Sequence, residues 1–383
     1  MPRSTRSLVA TALTAGACLM SARGTQGARA EAPRTVDHYV RVRSAVPAIA
    51  GQTTQLYVRE RVLSPPVPGG AVPGERVVLF VHGAGTPAEV AFDVPYQDYS
   101  WMAYLAAAGF DVFAMDVTGY GRSTRPFVMN DPCNLSAAQQ KLFVPALIPA
   151  PCEASYGQQA TTLASDWHDI DAVVEYIRAS RRVEKVSLIG WSLGGPRAGG
   201  YAAQHPDKVH KLVLLAPAYS QNAAATAPAT VPASGAAFNT QSRQEFDANW
   251  DRQLGCPNQF DPAARESVWS NMIASDPVAA TWGPGVRRAP NTTTWGWNQA
   301  MAAQVKSPAL LVAAAHDAQV APAGVARLHT DLGASQKLLV DLGCSSHNAL
   351  WERNHLMLFK ASREWLEGSA VNGMRSGTIK LGY

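Results

Sequence analysis

The residues with the clearest chemical potential lie in Gly190-Trp-Ser-Leu-Gly194, where one serine stands between two glycines. Residues 186–189 are a short apolar run typical of a buried strand, and residues 196–204 are rich in Ala and Gly and predict a helix. A tight turn between a strand and a helix can raise the hydroxyl of Ser192 above a sheet edge as a nucleophile. The helix start would point free N–H groups at an anion forming there. The alternative is a glycine-rich turn that only packs.

The elements that must hold this serine alternate along the chain. Apolar runs predict strands at residues 77–81, 112–115, 186–189, 211–216, 309–312 and 337–341. Helices are predicted at residues 99–108, 161–181, 196–204, 323–332 and 348–366. This alternation predicts an α/β fold with a mostly parallel sheet covered by helices on both faces. At the start, residues 36–62 alternate apolar and polar on both sides of Gly51 and predict two antiparallel strands.

Two long insertions interrupt the alternation, at residues 124–156 and 219–306. The first is rich in Pro, and the second opens with an Ala/Thr/Pro/Ser-rich stretch at residues 222–234. Five of the ten tryptophans lie in the second insertion: Trp250, Trp269, Trp282, Trp295 and Trp297. A segment of this length inside a compact domain is usually functional. We therefore predict one core at residues 31–218 and 307–383, a loop insertion at 124–156 and a helical cap at 219–306. The indoles either line a binding site or only hold the cap together.

Residues 1–30 have the features of an export signal. A basic start with Arg3 and Arg6 precedes an apolar stretch at residues 8–20 that is too short to span a bilayer, and Ala28-Arg-Ala30 offers small residues for cleavage. Lipid attachment at Cys18 is the competing interpretation. The sequence thus predicts a soluble, secreted or periplasmic mature protein with no membrane span.

The charge balance gives no reason to expect a polyanionic partner. The whole chain carries 33 basic and 29 acidic residues. Four of those arginines and none of the acids lie in the predicted signal, so the mature chain has a formal net charge of zero. A neutral chain does not favour nucleic acid or an anionic membrane surface.

The cysteines left after signal removal are even in number: Cys133, Cys152, Cys256 and Cys344. In an exported chain an even number favours disulfides, and four cysteines allow three pairings. We favour Cys133 with Cys152, which closes one surface loop, and Cys256 with Cys344, with buried free thiols as the alternative. No His/Cys/Asp cluster in the sequence has zinc-ligand spacing.

The motifs together resemble those of the α/β-hydrolase superfamily. They are His82-Gly-Ala-Gly85 after a predicted strand, Asp116-Val-Thr-Gly-Tyr-Gly-Arg-Ser123, the serine turn at residues 190–195, residues 205–215, the acid turn at Asp317, and Ser345-Ser-His347 near the end. The resemblance covers residues 72–368 apart from the two insertions. One departure is Thr118, where many relatives have Arg, and this loop is peripheral.

The resemblance implies a catalytic triad in the chain order Ser, acid, His. It places the acid at Asp317, after the strand at residues 309–312, and the base at His347, after the last predicted strand. The alternative acid position, residues 216–222, contains no carboxylate. A serine hydroxyl is a weak nucleophile at neutral pH, so His347 would accept the proton of Ser192 while Asp317 orients the imidazole.

The resemblance also indicates an oxyanion hole beside the serine. We assign its two N–H donors to Leu193, the residue after the nucleophile, and to Ala84, with Gly85 as the alternative to Ala84. His82, at the start of the same loop, is expected to brace it.

Haloalkane dehalogenases and epoxide hydrolases of this fold use Asp at the position of Ser192, so a serine indicates acyl chemistry. The leading expectation is an exported hydrolase of carboxylic esters or lactones with an apolar or aromatic part. The alternatives are C–C bond hydrolysis, amide hydrolysis, acyl transfer or perhydrolysis by the same triad, or a ligand-binding homologue with little turnover. The expected partner is a small-molecule ester, and no cofactor is implied.

Overall fold

The computed structural model describes residues 1–2, 32–63, 74–226, 236–283 and 285–382. The chain divides into two compact units, Met1–Glu31 and Ala32–Tyr383, and the elements described here belong to the second unit. The predicted export signal, including Cys18, lies outside the described residues except for Met1 and Pro2, and residues 227–234 of the Ala/Thr/Pro/Ser-rich stretch lie outside them as well.

The strands follow the apolar runs closely. They are β1 (Arg34–Arg43), β2 (Thr53–Val62), β3 (Val77–Val81), β4 (Asp111–Met115), β5 (Thr161–Thr162), β6 (Val186–Trp191), β7 (Val209–Leu215), β8 (Phe238–Ser242), β9 (Val286–Pro290), β10 (Thr292–Thr293), β11 (Ala309–Ala314), β12 (Lys337–Leu342) and β13 (Gly377–Leu381). Within the described residues the central sheet has nine strands in the order β1-β2-β4-β3-β6-β7-β11-β12-β13. Only the pairings of β2 with β1 and β4 are antiparallel in this sheet. The predicted α/β fold with its mostly parallel sheet is confirmed.

Among the described residues the α-helices range from four to nineteen residues in length. They are α1 (Ala88–Phe92), α2 (Trp101–Ala107), α3 (Ala137–Gln140), α4 (Leu163–Arg181), α5 (Gly194–Gln204), α6 (Arg243–Asp251), α7 (Pro262–Ala274), α8 (Gln299–Ala302), α9 (Pro322–Asp331) and α10 (His355–Gly368). Short 3-10 segments lie at Pro47–Ile49, Gly74–Arg76, Phe127–Asn130, Pro132–Asn134, Lys141–Phe143, Ala279–Trp282 and Ala349–Trp351.

The sheet buries both of its faces. In β3, Val78 and Phe80 point into a core that includes residues of α2 and α10, while Val77, Leu79 and Val81 point into a second core that includes residues of α4, α5 and α9. Alternate residues of a strand face opposite sides. A continuous apolar run is therefore what a strand covered on both faces requires.

The last predicted helix is wrong in its first part. Residues 348–366 are not one helix: a 3-10 turn at Ala349–Trp351 is separated from α10 by three residues. In this gap Glu352 is fully buried and turns toward the loop before the 3-10 turn, where its carboxylate accepts from the backbone N–H and the hydroxyl of Ser346. These two bonds account for the break. The sequence prediction also missed β13, which pairs with β12 and is an edge strand of the sheet that the described residues form.

The segment between β7 and β11, called the inserted segment below, contains α6, α7, α8, β9, β10 and β8. β8 and β9 form an antiparallel pair, and β10 pairs with β5 at the start of α4. The helical content was expected, whereas these small strand pairs were not. They are polar and short, so their sequences carry little strand periodicity.

Candidate active site

Ser192 lies on a strained turn between β6 and α5. Its φ is 58°, in the left-handed region that non-glycine residues seldom adopt. The turn is fixed by its own backbone: the Ser192 N–H donates to the Leu215 carbonyl at 3.0 Å, and its carbonyl accepts from Gly195 and Ala218 at 2.8 and 2.9 Å. Strain of this kind persists only where neighbouring bonds hold it.

The glycines around Ser192 are required because neighbouring atoms leave no room for a side chain. A Cβ at Gly190 would overlap the Gly194 carbonyl in the first turn of α5, and one at Gly194 would overlap the Val81 carbonyl on the neighbouring strand. A Cβ at Gly83 would stand 2.8 Å from the Cβ of Ser192. The backbone of the loop at residues 82–85 therefore runs directly alongside the serine.

The histidine and aspartate chosen from the sequence meet in the structure. Nδ1 of His347 lies 2.8 Å from Oδ2 of Asp317, and both residues are buried. The other oxygen of Asp317 accepts two backbone N–H groups from the turn that follows it, each at 2.8 Å. The indole of Trp191, the residue before Ser192, donates to the His347 carbonyl at 2.9 Å. His347 thus contacts both the acid and the residue that precedes the serine.

The three residues predicted for the oxyanion hole differ in what their N–H groups do. The Gly85 N–H donates to the hydroxyl of Tyr120 at 3.2 Å and is thereby occupied. Among the described residues, no hydrogen-bond acceptor is found for the N–H groups of Ala84 and Leu193. This difference favours Ala84 and Leu193 over Gly85 as donors to an oxyanion.

A buried ion pair braces the loop at residues 82–85. Arg197 in α5 is fully buried and donates through Nε to Asp166 in α4 at 2.7 Å. Its Nη1 donates to the carbonyls of His82 and Gly83 at 3.0 and 3.1 Å. Sequence analysis missed both residues, because the arginine lies in an Ala/Gly-rich helix and its partner is 31 residues away.

His82 supports the loop in its neutral form. Burial holds the pKa of His82 well below its usual range. The Val117 N–H donates to Nε2 at 3.3 Å, so the proton is on Nδ1, which donates to the Gly83 carbonyl at 2.7 Å. A bracing role for His82 was the expectation from the sequence.

The inserted segment reaches the loops of both Asp317 and His347. Oε1 of Gln253 accepts from the Ala318 N–H at 3.1 Å and from the His347 N–H at 3.4 Å. Glu352, which holds Ser346, also accepts from the indole of Trp250 at 3.0 Å and from Gln259 at 3.1 Å. Burial raises the pKa of the Glu352 carboxyl. No sequence pattern marks these polar residues, since their partners are 65 to 102 residues away.

The cysteines lie in the pairs favoured from the sequence. Cys133 and Cys152 have α-carbons 5.3 Å apart and form a bond within the first insertion. Cys256 and Cys344 have α-carbons 5.8 Å apart, and their bond joins the inserted segment to the chain three residues before His347.

The five tryptophans of the inserted segment divide into two groups. Trp250, Trp269 and Trp282 pack against other aromatic rings, at centroid distances of 5.3 to 6.0 Å. Trp295 and Trp297 line a cavity of about 270 Å³ beside the turn at Ser192, and Trp297 also packs against the ring of Tyr219 at 6.1 Å. Its walls are Leu193, Pro196, Ala218, Tyr219, Ser220, Ala223, Thr294, Trp295 and Trp297.

Within the described ranges, no group of three or more His, Cys, Asp or Glu side chains is placed to hold a metal ion. Among the helices of the same residues, none has the length and apolar character needed to cross a bilayer.

Comparison with known proteins places this chain among others of the same architecture. Residues 76–354 match the sequence profile of a family described as alpha/beta hydrolase fold. No curated protein matches the sequence significantly.

One similar solved structure is a serine hydrolase from the polyaromatic-hydrocarbon-degrading bacterium Cycloclasticus zankles, 12% identical, with a TM-score of 0.51 over 87% of this chain and 99% of that one. Another is a monoacylglycerol lipase from Paleococcus ferrophilus, 20% identical, with a TM-score of 0.46 over 82% and 99%. Likenesses at these identities concern the fold alone. The profile, however, spans well over half of the sequence, and the chain belongs to the α/β-hydrolase fold family.

Proposed function

We propose that this protein is an exported serine hydrolase that cleaves carboxylic esters or lactones through Ser192, His347 and Asp317. The observations that support the proposal are the 2.8 Å bond between His347 Nδ1 and Asp317 Oδ2, the strained strand-to-helix turn at Ser192, and the 2.9 Å bond from the indole of Trp191, the residue before Ser192, to the His347 carbonyl. A buried imidazole oriented by a carboxylate is the device that activates a serine hydroxyl.

In the proposed reaction, Ser192 Oγ attacks the substrate carbonyl while Nε2 of His347 takes the hydroxyl proton. Asp317 keeps the Nδ1–H in place and stabilises the imidazolium. The N–H groups of Ala84 and Leu193 receive the negative charge that develops on the carbonyl oxygen. His347 then gives its proton to the leaving alkoxide, and water, activated by His347, hydrolyses the acyl-enzyme.

The cavity beside Leu193 supports an apolar or aromatic part of the substrate. Its indoles, Trp295 and Trp297, offer flat apolar surfaces next to the position where the acyl carbon would be held. The two cysteine pairs support an oxidising compartment, consistent with the signal-like residues 1–30.

The test is covalent labelling with a fluorophosphonate probe, together with turnover of 4-nitrophenyl esters. Ser192→Ala should abolish labelling, and Asp317→Asn should lower kcat by several orders of magnitude. Ser187→Ala is the matched control, because Ser187 is buried in β6 and its Oγ has no hydrogen-bond partner among the described residues. Full labelling of Ser192→Ala would refute the assignment. The alternative acyl reactions are distinguished by offering amide, C–C and peroxide substrates to the same variants.

A further inference from the structure

Glu352 carries a buried carboxyl group that the proposed reaction does not use. It lies in the three-residue gap between the 3-10 turn at Ala349–Trp351 and α10, and it is fully buried. A buried carboxyl group loses its hydration, so it is stable only where other polar groups replace water. The groups that do so here come from two regions of the chain, the loop that carries His347 and the inserted segment.

Four neutral groups donate hydrogen bonds to this carboxylate. Its Oε2 accepts from the backbone N–H of Ser346 at 2.7 Å. Its Oε1 accepts from the hydroxyl of the same serine at 2.6 Å, from the indole of Trp250 at 3.0 Å and from the amide nitrogen of Gln259 at 3.1 Å. The orientation of Gln259 is fixed, because its amide oxygen accepts from the Gly255 N–H at 2.9 Å. The Ser346 hydroxyl accepts from the Asn348 N–H at 3.2 Å, which leaves its own proton for the carboxylate.

This arrangement fits an ionised carboxylate. A backbone N–H and an indole N–H can only donate a hydrogen bond, and an ionised carboxylate can only accept one. Burial raises the pKa of Glu352, and the bonds from Ser346, Gln259 and Trp250 act in the opposite direction. Hydrogen bonds to an ionised group are stronger than those between neutral groups. Ser346 is therefore held by a charged partner on both its N–H and its hydroxyl.

The residue that Glu352 holds directly precedes the proposed base. The backbone of His347 makes two further bonds: its N–H donates to Oε1 of Gln253 at 3.4 Å, and its carbonyl accepts from the indole of Trp191 at 2.9 Å. Both of these partners are neutral. Among these contacts, Glu352 alone supplies a charge to the loop that carries the imidazole.

The inserted segment binds the other side of the same carboxylate. Trp250 lies in the last turn of α6, and Gln259 lies between α6 and α7. The main chains also meet at this point, because the Arg353 N–H donates to the Gln259 carbonyl at 2.9 Å. The inserted segment therefore reaches the His347 loop through the carboxylate of Glu352.

We propose that Glu352 is a positioning residue for His347 and that the inserted segment supports catalysis through it. The carboxylate holds the loop at Ser346, so that Nε2 of the imidazole keeps the place from which it can take the proton of Ser192. The role rests on the proposed function and adds a residue to the same site. Loss of this anchor should act on kcat, because a displacement of about 1 Å can slow an oriented reaction about 100-fold.

The test compares three variants in the turnover of a 4-nitrophenyl ester. Glu352→Gln keeps the size of the side chain but turns an amide N–H toward at least one of the four donors. It should lower kcat about 10- to 100-fold and change KM less than about threefold. Trp250→Phe removes one donor and should lower kcat about 3- to 10-fold, the usual contribution of one hydrogen bond. Trp269→Phe is the matched control and should keep kcat, because this buried indole of the same segment packs against Phe246.

A purely structural role predicts a different pattern. Each variant is measured at a temperature where its unfolding curve shows it to be folded. If Glu352 only stabilised the fold, folded Glu352→Gln would have the kcat of the wild type, and that result would overturn the proposal. A higher KM at unchanged kcat would indicate substrate binding and would overturn it as well. If Glu352→Gln does not fold, Trp250→Phe decides: a kcat below that of Trp269→Phe supports the proposal, and equal values overturn it.

Hydrogen exchange separates this proposal from the proposed function, because it needs no turnover. In Ser192→Ala, the backbone N–H of Ser346 should exchange at least about tenfold faster once Glu352→Gln is added, measured relative to the amides of β3, since its acceptor is lost. Unchanged exchange would overturn the proposal. If no ester is hydrolysed but exchange is faster, the proposed function fails and the anchoring of the loop by Glu352 stands. If esters are hydrolysed and Glu352→Gln keeps the kcat of the wild type, the positioning role fails alone.

Discussion

Replacing Arg197 with Met should destabilise the protein severely, because it leaves the Asp166 carboxylate without its partner. Both side chains are fully buried. Removing one partner of a buried ion pair costs about 3–5 kcal/mol, and each backbone carbonyl that loses its donor adds roughly 1 kcal/mol or more. Arg197 serves two such carbonyls, those of His82 and Gly83. The expected loss is about 5 kcal/mol, a large part of the roughly 5–15 kcal/mol that stabilises a typical domain.

The assay is denaturant unfolding of Arg197→Met, of Asp166→Leu, and of the double variant. The double variant should be more stable than Arg197→Met, since two apolar side chains of similar size leave no buried charge unpaired. Arg243→Met should lose less than about 1 kcal/mol, because its ion pairs with Asp247 and Glu266 are partly exposed.

Kinetics of the same variants test the bracing of the loop. At temperatures where Arg197→Met is folded, kcat for a 4-nitrophenyl ester should fall by one to two orders of magnitude, since the N–H of Ala84 is no longer held in place. The reasoning is refuted if Arg197→Met is as stable as Arg243→Met, or if the double variant is the least stable of all.

Three further predictions concern stability. The Cys256–Cys344 disulfide closes a loop of 88 residues and the Cys133–Cys152 disulfide a loop of 19. The chain-entropy estimate of their stabilisation is about 4.6 and 3.2 kcal/mol, so Cys256→Ser should lower the free energy of unfolding more than Cys133→Ser. Burial raises the pKa of Asp169 from 3.8 to about 7. The contribution of this protonated carboxyl to the free energy of unfolding is therefore fully present below about pH 4 and is lost as the pH rises through 7. Asp169→Asn should make Tm less dependent on pH across that window than it is in the wild type. Gly194→Ala should abolish folding or activity, because its Cβ would overlap backbone, whereas Gly324→Ala in α9 meets no atom within 4 Å and should raise Tm.

The parts predictable from the sequence are those whose pattern is local. The central strands are mostly apolar because helices cover both faces of the sheet, and β3, which is apolar throughout, has the predicted bounds. The turn at Ser192 was identifiable because the glycines at 190 and 194 are dictated by atoms on the adjoining strand and helix. The choice of Asp317 and His347 came from the resemblance to the α/β-hydrolase superfamily, and their contact fits the rule that loops after parallel strands share one edge of the sheet.

The parts that could not be predicted depend on polar side chains with distant partners. Glu352 interrupts an otherwise helical stretch because Ser346 and Trp250 satisfy its carboxylate, and Trp250 is 102 residues away in sequence. Arg197 forms an ion pair with the carboxylate of Asp166, whereas Arg287, also an arginine, donates to the amide oxygen of Gln241. No periodicity separates these cases, since the difference lies in what the folded chain brings next to each guanidinium.

The attachments of the inserted segment limit how it can move. Gln253 bonds to the backbone on both sides of the Asp317–His347 pair, and the Cys256–Cys344 bond lies three residues before the histidine. A rigid outward swing of this part of the segment would have to break both hydrogen bonds of Gln253 and pull on the His347 loop. We therefore expect the region from α6 to Cys256 to act as part of the scaffold that holds the His347 loop. Under the proposed function, any movement that admits substrate is expected in other parts of the segment, such as the cavity wall formed by Trp295 and Trp297.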